Sequence, residues 1–488
     1  MPPLAKNLGE LKKSGWKSRS VKTELRENLL ARMKSGEPLF PGILGYDKTV
    51  LPQIQNALLS RHDFILLGLR GQAKSRLLRL VANLLDEWLP VLDGTPLNED
   101  PLSPISPKGK RILAEQGDSA PIHWLSREER FQEKLATPDV SISDLIGDID
   151  PIKAAREKLD ISNEEVIHWG IIPRMNRGIF AVNELPDLQP RIQVGLFNIL
   201  EESDIQVRGF PLRLPLDMLL VFSANPEDYT NRGTIITPLK DRIASQIMTH
   251  YPNTVDEAMA ITKSQIRRDS IPFPFPDWLY RAIEEISFQA RASEFVDQTS
   301  GVSARVSIAA VENVISNVER RAVLGGVAYP RLVDLYAAIP AVTGKVELVH
   351  EGDQQGSVKV ARLLIGQAIS KVFLDHFPKP PKKGKEDPEK PSKPHAYTQL
   401  IEWFQDGEKI VVNDDMPAAE YRKSLDRAKP LRQLVAAHAK PADDAEAYLF
   451  MELVLEGLHA GGWLSRKEEG GVVEYLDIFS NMFRGLKG

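Results

Sequence analysis

Residues 64–75 read FILLGLRGQAKS and place four apolar residues directly before a glycine-containing loop that ends in Lys-Ser. A helix-like run, residues 76–86, follows, so the predicted order is strand, loop, helix. In such a loop the backbone N–H groups and the helix N-terminus bind phosphates, a lysine neutralises phosphate oxygens, and a serine hydroxyl reaches Mg²⁺. We therefore predict a phosphate-binding loop made of Gly68, Leu69, Arg70, Gly71, Gln72, Ala73, Lys74 and Ser75.

The loop departs from the general P-loop consensus at Ala73, where glycine is usual. Alanine still supplies a backbone N–H group, so the phosphate cradle survives if the local backbone tolerates a Cβ atom. The alternative is a chance glycine-rich turn that carries a surface lysine. The flanking strand-like and helix-like runs favour the phosphate-binding interpretation.

A second apolar run, residues 179–182, ends in Asn183-Glu184 and resembles a Walker B strand. The usual ending is Asp-Glu, in which the Asp supports Mg²⁺ and its waters and the Glu polarises the attacking water. Asn183 can accept a hydrogen bond from a metal-bound water but brings no negative charge. Two outcomes stay open: a slow ATPase, or a nucleotide-binding protein that hardly turns over. Alternatively, Glu184 merely caps the helix that follows.

Three further polar residues complete the candidate site. Asn225 follows a third apolar run, residues 219–222, and could position water between Glu184 and the γ-phosphate. Arg242 lies where an arginine finger for a neighbouring subunit would lie, and Arg305 opens a later helix and could close over the phosphates of its own chain. Taken singly, each arginine is more typical of a solvated or salt-bridged surface residue than of a catalytic one. The order and spacing of the motifs favour the catalytic interpretation.

Alternation of strand-like and helix-like patterns predicts an α/β fold with a parallel sheet, whose ligands lie at the carboxyl ends of the strands. The predicted division is a basic lead-in and helix (1–40), an α/β nucleotide-binding domain (41–255), a helical lid and extension (256–377), a linker (378–395) and a C-terminal module (396–488). The lead-in contains one amphipathic helix, from about Ser20 to Ser35. The linker holds six Pro and six Lys in eighteen residues, which predicts an extended spacer.

Composition excludes several classes of protein. The 488 residues contain no Cys, which rules out disulfide scaffolds, cysteine nucleophiles and thiolate metal sites. No apolar stretch suggests a signal peptide or a membrane span, so we expect a cytoplasmic protein without a membrane partner. The nine His lack ligand spacing, so Mg²⁺ is expected to arrive with the nucleotide, and no Ser/His/Asp triad is recognisable.

Together these motifs resemble the AAA+ ATPases, specifically the branch of the magnesium chelatase ATPase subunit and the MoxR proteins. The likeness extends from about Ile43 to Thr343, and Ala before the P-loop lysine is familiar in MoxR proteins. Residues 143–150 are similar to the start of the helix-2 insert of the chelatase ATPases, residues 195–202 to the helix after Walker B, and residues 204–214 to the β-hairpin before sensor 1. Asn225 matches sensor 1, Arg242 the arginine finger and Arg305 sensor 2.

The resemblance implies an AAA+ P-loop core followed by a helical lid and a mostly helical C-terminal module. It also implies a ring, usually of six subunits, with ATP and Mg²⁺ between subunits. Relatives act with a partner that carries a von Willebrand factor A domain and remodel or mature a client protein. We therefore expect an ATP-driven ring motor, or alternatively a nucleotide-gated scaffold with little or no hydrolysis. The chain lacks a porphyrin-handling signature, so a magnesium chelatase role is not supported.

The C-terminal module carries 11 Lys and Arg against 16 Asp and Glu, which accounts for the whole net charge of −5. A helix-like run, residues 445–459, precedes two short strand-like pieces that flank Gly470-Gly471, and this pattern hints at a winged helix. The acidic charge disfavours nucleic-acid binding and favours a structural or protein-contact role. The lack of a Gly-Ala-Phe-Thr-Gly-Ala motif also disfavours a DNA-linked ATPase.

Overall fold

The computed structural model describes residues 5–160, 163–207, 210, 213–226, 233–266, 273–324, 328–381, 395–469 and 471–478. The chain divides into two compact units, residues 1–251 and residues 252–488. No helix among the described residues is both long enough and apolar enough to cross a membrane.

The first unit alternates strands with helices. Its strands are β1 (Phe64–Leu67), β2 (Trp88–Leu92), β3 (Ile122–Ser126), β4 (Phe131–Leu135), β5 (Gly147–Ile149), β6 (Ile167–Trp169), β7 (Gly178–Asn183), β8 (Asp204–Gln206), β9 (Arg213–Pro215), β10 (Met218–Ala224) and β11 (Ser245–Met248). Its helices are α1 (Leu8–Lys13), α2 (Val21–Ser35), α3 (Val50–Leu59), α4 (Lys74–Val81), α5 (Pro107–Gln116), α6 (Ile142–Leu145), α7 (Pro151–Glu157), α8 (Ile171–Arg174), α9 (Pro190–Val194), α10 (Phe197–Glu201) and α11 (Thr237–Arg242).

Among the described residues, five strands form a parallel sheet in the order β11-β1-β10-β7-β4. Numbered by their position in the chain, the strands follow the order 5-1-4-3-2. The central strands β1, β7 and β10 are the three apolar runs that the sequence predicts, and their side chains are almost entirely buried. Such runs are typical of parallel strands that are covered on both faces.

The flanking elements agree with the sequence pattern in two places. Helix α2 follows the N-cap Ser20, whose side chain accepts a hydrogen bond from the backbone N–H of Thr23, and it buries Leu25 and Leu29 in the core on one face of the sheet. Strands β8 and β9 form an antiparallel pair in the region where a hairpin is expected.

The second unit is mainly helical. Its helices are α12 (Val255–Gln265), α13 (Asp277–Ala292), α14 (Ala304–Val323), α15 (Ile339–Thr343), α16 (His350–Gln355), α17 (Ser357–His376), α18 (Thr398–Gln405), α19 (Ala418–Asp426), α20 (Lys429–His438) and α21 (Asp444–Ala460). Its described strands β12 (Ile410–Asn413), β13 (Leu464–Glu469) and β14 (Val472–Asp477) form a small antiparallel sheet.

One hydrophobic core runs through the second unit and includes residues from both sides of the Pro- and Lys-rich segment. The rings of Trp278 and Phe450, for example, stack with their centroids 4.9 Å apart. Of the predicted linker, residues 382–394 lie outside the described residues. Within the described part of the linker, Pro381 accepts a hydrogen bond of 2.9 Å from the indole N–H of Trp463 at its carbonyl oxygen.

The helix and hairpin that hint at a winged helix are present as α21, β13 and β14. Helix α21 is buried on every side from Tyr448 to Leu458, as expected of a helix whose apolar residues surround its axis. This stretch of α21 therefore belongs to the core of the second unit.

Candidate functional site

The predicted phosphate-binding loop joins the carboxyl end of β1 to the start of α4 at Lys74. Ala73, the residue that departs from the consensus, has a left-handed backbone with φ of 59°. A Cβ atom in this backbone conformation costs about 1–2 kcal/mol, which explains why glycine is usual at this position. The loop nevertheless contains an alanine in this conformation, and Ala73 still contributes a backbone N–H group to the loop.

Side chains from both ends of the first unit hold the loop. The hydroxyl of Tyr46 donates to the carbonyl of Gln72 at 3.0 Å and lies 2.7 Å from the carbonyl of His250. The Thr249 hydroxyl donates to the Gln72 side chain at 2.6 Å, and the Tyr251 hydroxyl donates to the carbonyl of Arg70 at 2.9 Å. Burial raises the pKa of Tyr46 well above its ordinary value, so its hydroxyl remains a donor. The loop is therefore braced from outside.

Lys74 lies within the loop and is only 7% exposed. Its ammonium group donates to the carbonyl of Gly68, and to the carbonyl of Leu69 at 3.0 Å. These carbonyls hold the charge close to the backbone N–H groups of the loop. The ammonium group therefore lies inside the loop.

The Walker B strand β7 places Asn183 against the start of α4. The side-chain oxygen Oδ1 of Asn183 accepts hydrogen bonds from the hydroxyl of Ser75 at 3.2 Å and from the hydroxyl of Ser223 at 2.9 Å. Ser75 is therefore in direct contact with the Walker B strand, through an amide in place of the usual carboxylate. Two serine hydroxyls fix the orientation of this amide.

Glu184 follows directly and has a left-handed backbone, with φ of 57° and ψ of 50°. Non-glycine residues rarely adopt this conformation, and they concentrate at functional sites when they do. Glu184 occupies the N-cap position of a short turn, residues 185–187, but its side chain makes no capping hydrogen bond. A capping role therefore does not explain the residue.

A carboxylate that the sequence analysis missed lies beside Asn183. Glu133 is on the edge strand β4, and its Oε2 atom is 3.4 Å from the Nδ2 atom of Asn183. Arg79 on α4 holds the same carboxylate, with its Nε atom 3.0 and 3.1 Å from the two oxygens. The polar sequence of β4, FQEKL, gives no buried-strand signal. Only its alternation, with Phe131, Glu133 and Leu135 on one face, could have indicated a strand.

Asn225 follows β10, the strand between β1 and β7, and is 4% exposed. The P-loop, Glu184 and Asn225 thus follow three adjacent parallel strands at their carboxyl ends, where open α/β sheets bind ligands. The fold is that of an AAA+ ATPase. Its decisive features are the 5-1-4-3-2 strand order and the positions of these three segments within it.

The candidate arginine finger of the AAA+ core, Arg242, is the last residue of α11. Its guanidinium donates to the carboxylate of Glu201 from Nε at 2.7 Å and lies over the ring of Phe197, 4.6 Å from the centroid. Both partners belong to α10, in the region predicted as the helix after Walker B. The second arginine, Arg305, is exposed in the first turn of α14 in the second unit, and its sensor 2 role stays a prediction.

Comparisons with known proteins give distant similarities. No protein-family model matches the chain, and no curated protein matches it. The similar solved structures include the complex of subunits BchI and BchD of magnesium chelatase (18% identity over 65% of this chain and 98% of that chain, TM-score 0.33). They also include the RuvB branch migration motor of Thermotoga maritima (13%, 96% and 93%, TM-score 0.32). NtrX of Brucella abortus with ATP is a third (11%, 63% and 56%, TM-score 0.30). The fold assignment depends on the strand order and the three segments, because similarities of this extent carry no weight of their own.

Proposed function

We propose that this chain binds and hydrolyses ATP as an AAA+ ring motor that remodels or matures a protein client, like the magnesium chelatase ATPase subunit and the MoxR proteins. One observation carries the proposal. A braced phosphate loop with Lys74 and Ser75 adjoins a Walker B strand that Glu184 directly follows, and Asn225 follows the strand between them. These four residues are of the types that ATP hydrolysis needs. The exception in the site is Asn183, which stands where an aspartate is usual.

The site suits ATP with Mg²⁺. The N–H groups of the loop and the start of α4 would bind the phosphates, and Lys74 would exchange its two carbonyl partners for phosphate oxygens. Ser75 and Asn183 offer neutral oxygen atoms 3.2 Å apart, and Mg²⁺ prefers oxygen ligands. Bound Mg²⁺ would neutralise charge on the β- and γ-phosphates.

Glu184 is the proposed general base for the attacking water. Its carboxylate would take a proton from the water as the water attacks the γ-phosphorus, and the bond from that phosphorus to the ADP oxygen would break. Asn225 would orient the water. Arg242 would act on the nucleotide of a neighbouring subunit, and Arg305 on the nucleotide of its own chain, by stabilising charge on the transferred phosphoryl group.

The proposed assembly is a ring, with six subunits as the expected number, in the cytoplasm. A partner with a von Willebrand factor A domain and a protein client are the proposed contacts, by analogy of fold and branch. The buried helix α21 and the acidic C-terminal module argue against nucleic acid as a partner.

A nucleotide-gated scaffold that barely hydrolyses ATP is the second candidate. Asn183 favours it, because a neutral amide next to Ser75 gives less support to Mg²⁺ than the usual carboxylate does. In this case ATP would drive assembly, and Glu184 would contribute little.

Steady-state ATPase and ATP binding of the wild type, Glu184→Gln and Asn183→Asp separate the two candidates, with Lys74→Ala as the binding-deficient control. If the protein is a motor, the wild type should hydrolyse ATP, and Glu184→Gln should abolish hydrolysis while ATP binding persists. Asn183→Asp should raise the rate of hydrolysis. If wild type and Glu184→Gln both remain at background while ATP still drives assembly, measured by sedimentation velocity, the scaffold is correct. Failure of the wild type to bind ATP would overturn both.

A further inference from the structure

We infer that Glu133 supplies the negative charge that Asn183 lacks beside the proposed magnesium site, so that the carboxylate next to Mg²⁺ comes from β4 and not from the last residue of β7. This inference rests on the proposed function, because it concerns the same Mg²⁺ and ATP. It assigns a role to a residue outside the P-loop, Walker B and sensor motifs.

The geometry places Glu133 one side chain away from Ser75. The Asn183 amide lies between them, with Oδ1 3.2 Å from the Ser75 hydroxyl and Nδ2 3.4 Å from Glu133 Oε2. The strand register explains this placement. Glu133 pairs with Ala181, and Asn183 is two residues further along β7, so both side chains project from the same face of the sheet.

The chemistry of the donor set favours a charged neighbour. Ser75, Asn183 and Ser223 all offer neutral oxygen atoms, whereas protein sites for Mg²⁺ ordinarily include one or two carboxylates. A carboxylate that accepts from the amide N–H of Asn183 polarises the amide, which makes its oxygen a better partner for a cation or a metal-bound water. Glu133 therefore acts through Asn183 and by its own field, as a positioning residue.

Arg79 forms an ion pair with Glu133, but this pair does not remove the effect of the Glu133 charge on the proposed Mg²⁺ site. The Arg79 side chain is 59% exposed and the Glu133 side chain 31% exposed, so water screens the pair strongly. Exposed ion pairs of this kind contribute little to stability. Glu133 can therefore turn toward a cation on its Asn183 side at small cost, and Arg79 weakens the field of Glu133 there.

The test measures how ATP binding depends on Mg²⁺. Calorimetric titrations use the full-length protein in a Glu184→Gln background, at a series of Mg²⁺ concentrations and in excess EDTA. Glu133→Gln should raise the half-saturating Mg²⁺ concentration about tenfold, the size expected for one charge at this range, and should leave ATP affinity in EDTA unchanged. Arg79→Gln should lower that concentration. Glu128→Gln removes the same charge from an exposed site in the turn before β4, and should change nothing.

Rescue makes the test specific. In an Asn183→Asp background the carboxylate is back on β7, so adding Glu133→Gln should shift the half-saturating Mg²⁺ concentration less than about twofold. An unchanged Mg²⁺ dependence in Glu133→Gln, or an equal loss of ATP affinity with and without Mg²⁺, would overturn the inference while the proposed function stands. A parent protein that binds no ATP at all would remove the proposed function itself.

Discussion

Glu24 and Arg130 lie 106 residues apart in the chain and form a bidentate ion pair in which each side chain is only 1% exposed. The two N–O distances are 2.8 and 2.6 Å. Arg130 also donates to the carbonyl of Arg177, and Glu24 accepts from the backbone N–H of Asp86. The pair therefore connects helix α2 to the turn before β4 and to the loop before β7.

Replacing Glu24 by Gln should destabilise the first unit by about 3 kcal/mol, because the change leaves a buried guanidinium without its counter-charge. Urea denaturation followed by circular dichroism measures the free energy of unfolding. The exposed pair of Lys12 and Asp118, with side chains 50% and 69% exposed, provides the matched control. Lys12→Gln should cost less than about 1 kcal/mol. Equal losses in the two variants would contradict the distinction between buried and exposed pairs.

The sequence predicts the parts of this structure that local pattern controls. Strands β1, β7 and β10 are apolar runs. Because the sheet is parallel, the polar residues that follow these strands lie together at the carboxyl edge of the sheet. Strand β4 lies at the sheet edge with polar residues on both faces, so its sequence carries no such run, and Glu133 was missed with it. The pairs of Glu24 with Arg130 and of Glu201 with Arg242 depend on tertiary packing, so the spacing of these residues in the sequence does not predict them.

Gly68→Ala should damage the phosphate loop without a change of charge. A Cβ atom at Gly68 would lie 2.0 Å from the Thr249 hydroxyl and 2.1 Å from the Gln72 side-chain oxygen, and these two atoms hydrogen-bond to each other in the brace. ATP affinity should fall at least about tenfold because the loop must shift. Gly366→Ala is the control, since a Cβ atom there meets nothing within 4 Å in helix α17. This control should keep ATP affinity and gain about 0.5–1 kcal/mol of stability.

The contact between Arg242 and Glu201 predicts a graded effect on turnover. Arg242→Ala should lower kcat by about a thousandfold if the residue is an arginine finger. Glu201→Gln should lower kcat less, because the charge on Arg242 remains while its orientation loosens. ATP affinity, measured by calorimetry, should stay within about twofold in both variants, since neither residue belongs to the phosphate loop.

A mixing experiment tests whether Arg242 acts between subunits. Arg242→Ala and Lys74→Ala should each be inactive alone. In mixed rings an intact finger meets an intact phosphate loop, so an equal mixture should recover a measurable fraction of the wild-type rate. A mixture that stays inactive, although sedimentation shows that the two variants assemble together, would contradict action in trans.

The acidic side chain of Glu452 on helix α21 should make the stability of the second unit depend on pH. Burial raises the pKa of Glu452 from 4.5 to about 7, and the neighbouring Asp334 adds to the shift, whereas Arg331 and the backbone N–H of Leu332 oppose it. Between pH 4.5 and 7 the folded protein binds more protons than the unfolded chain, so stability falls as pH rises. The loss should approach about 3 kcal/mol above pH 7.

Glu452→Gln, which is neutral at every pH, should therefore gain stability over the wild type as pH rises. The gain should be absent near pH 4.5 and should reach about 3 kcal/mol by pH 8, because only the wild type must then keep a buried carboxylate charged. Urea unfolding at pH 5, 6, 7 and 8 measures the difference between the two proteins. Glu420→Gln changes an exposed carboxylate of helix α19, and its difference from the wild type should stay flat across the same range. A flat difference for Glu452→Gln as well would show that the folded protein accommodates the buried charge at no cost.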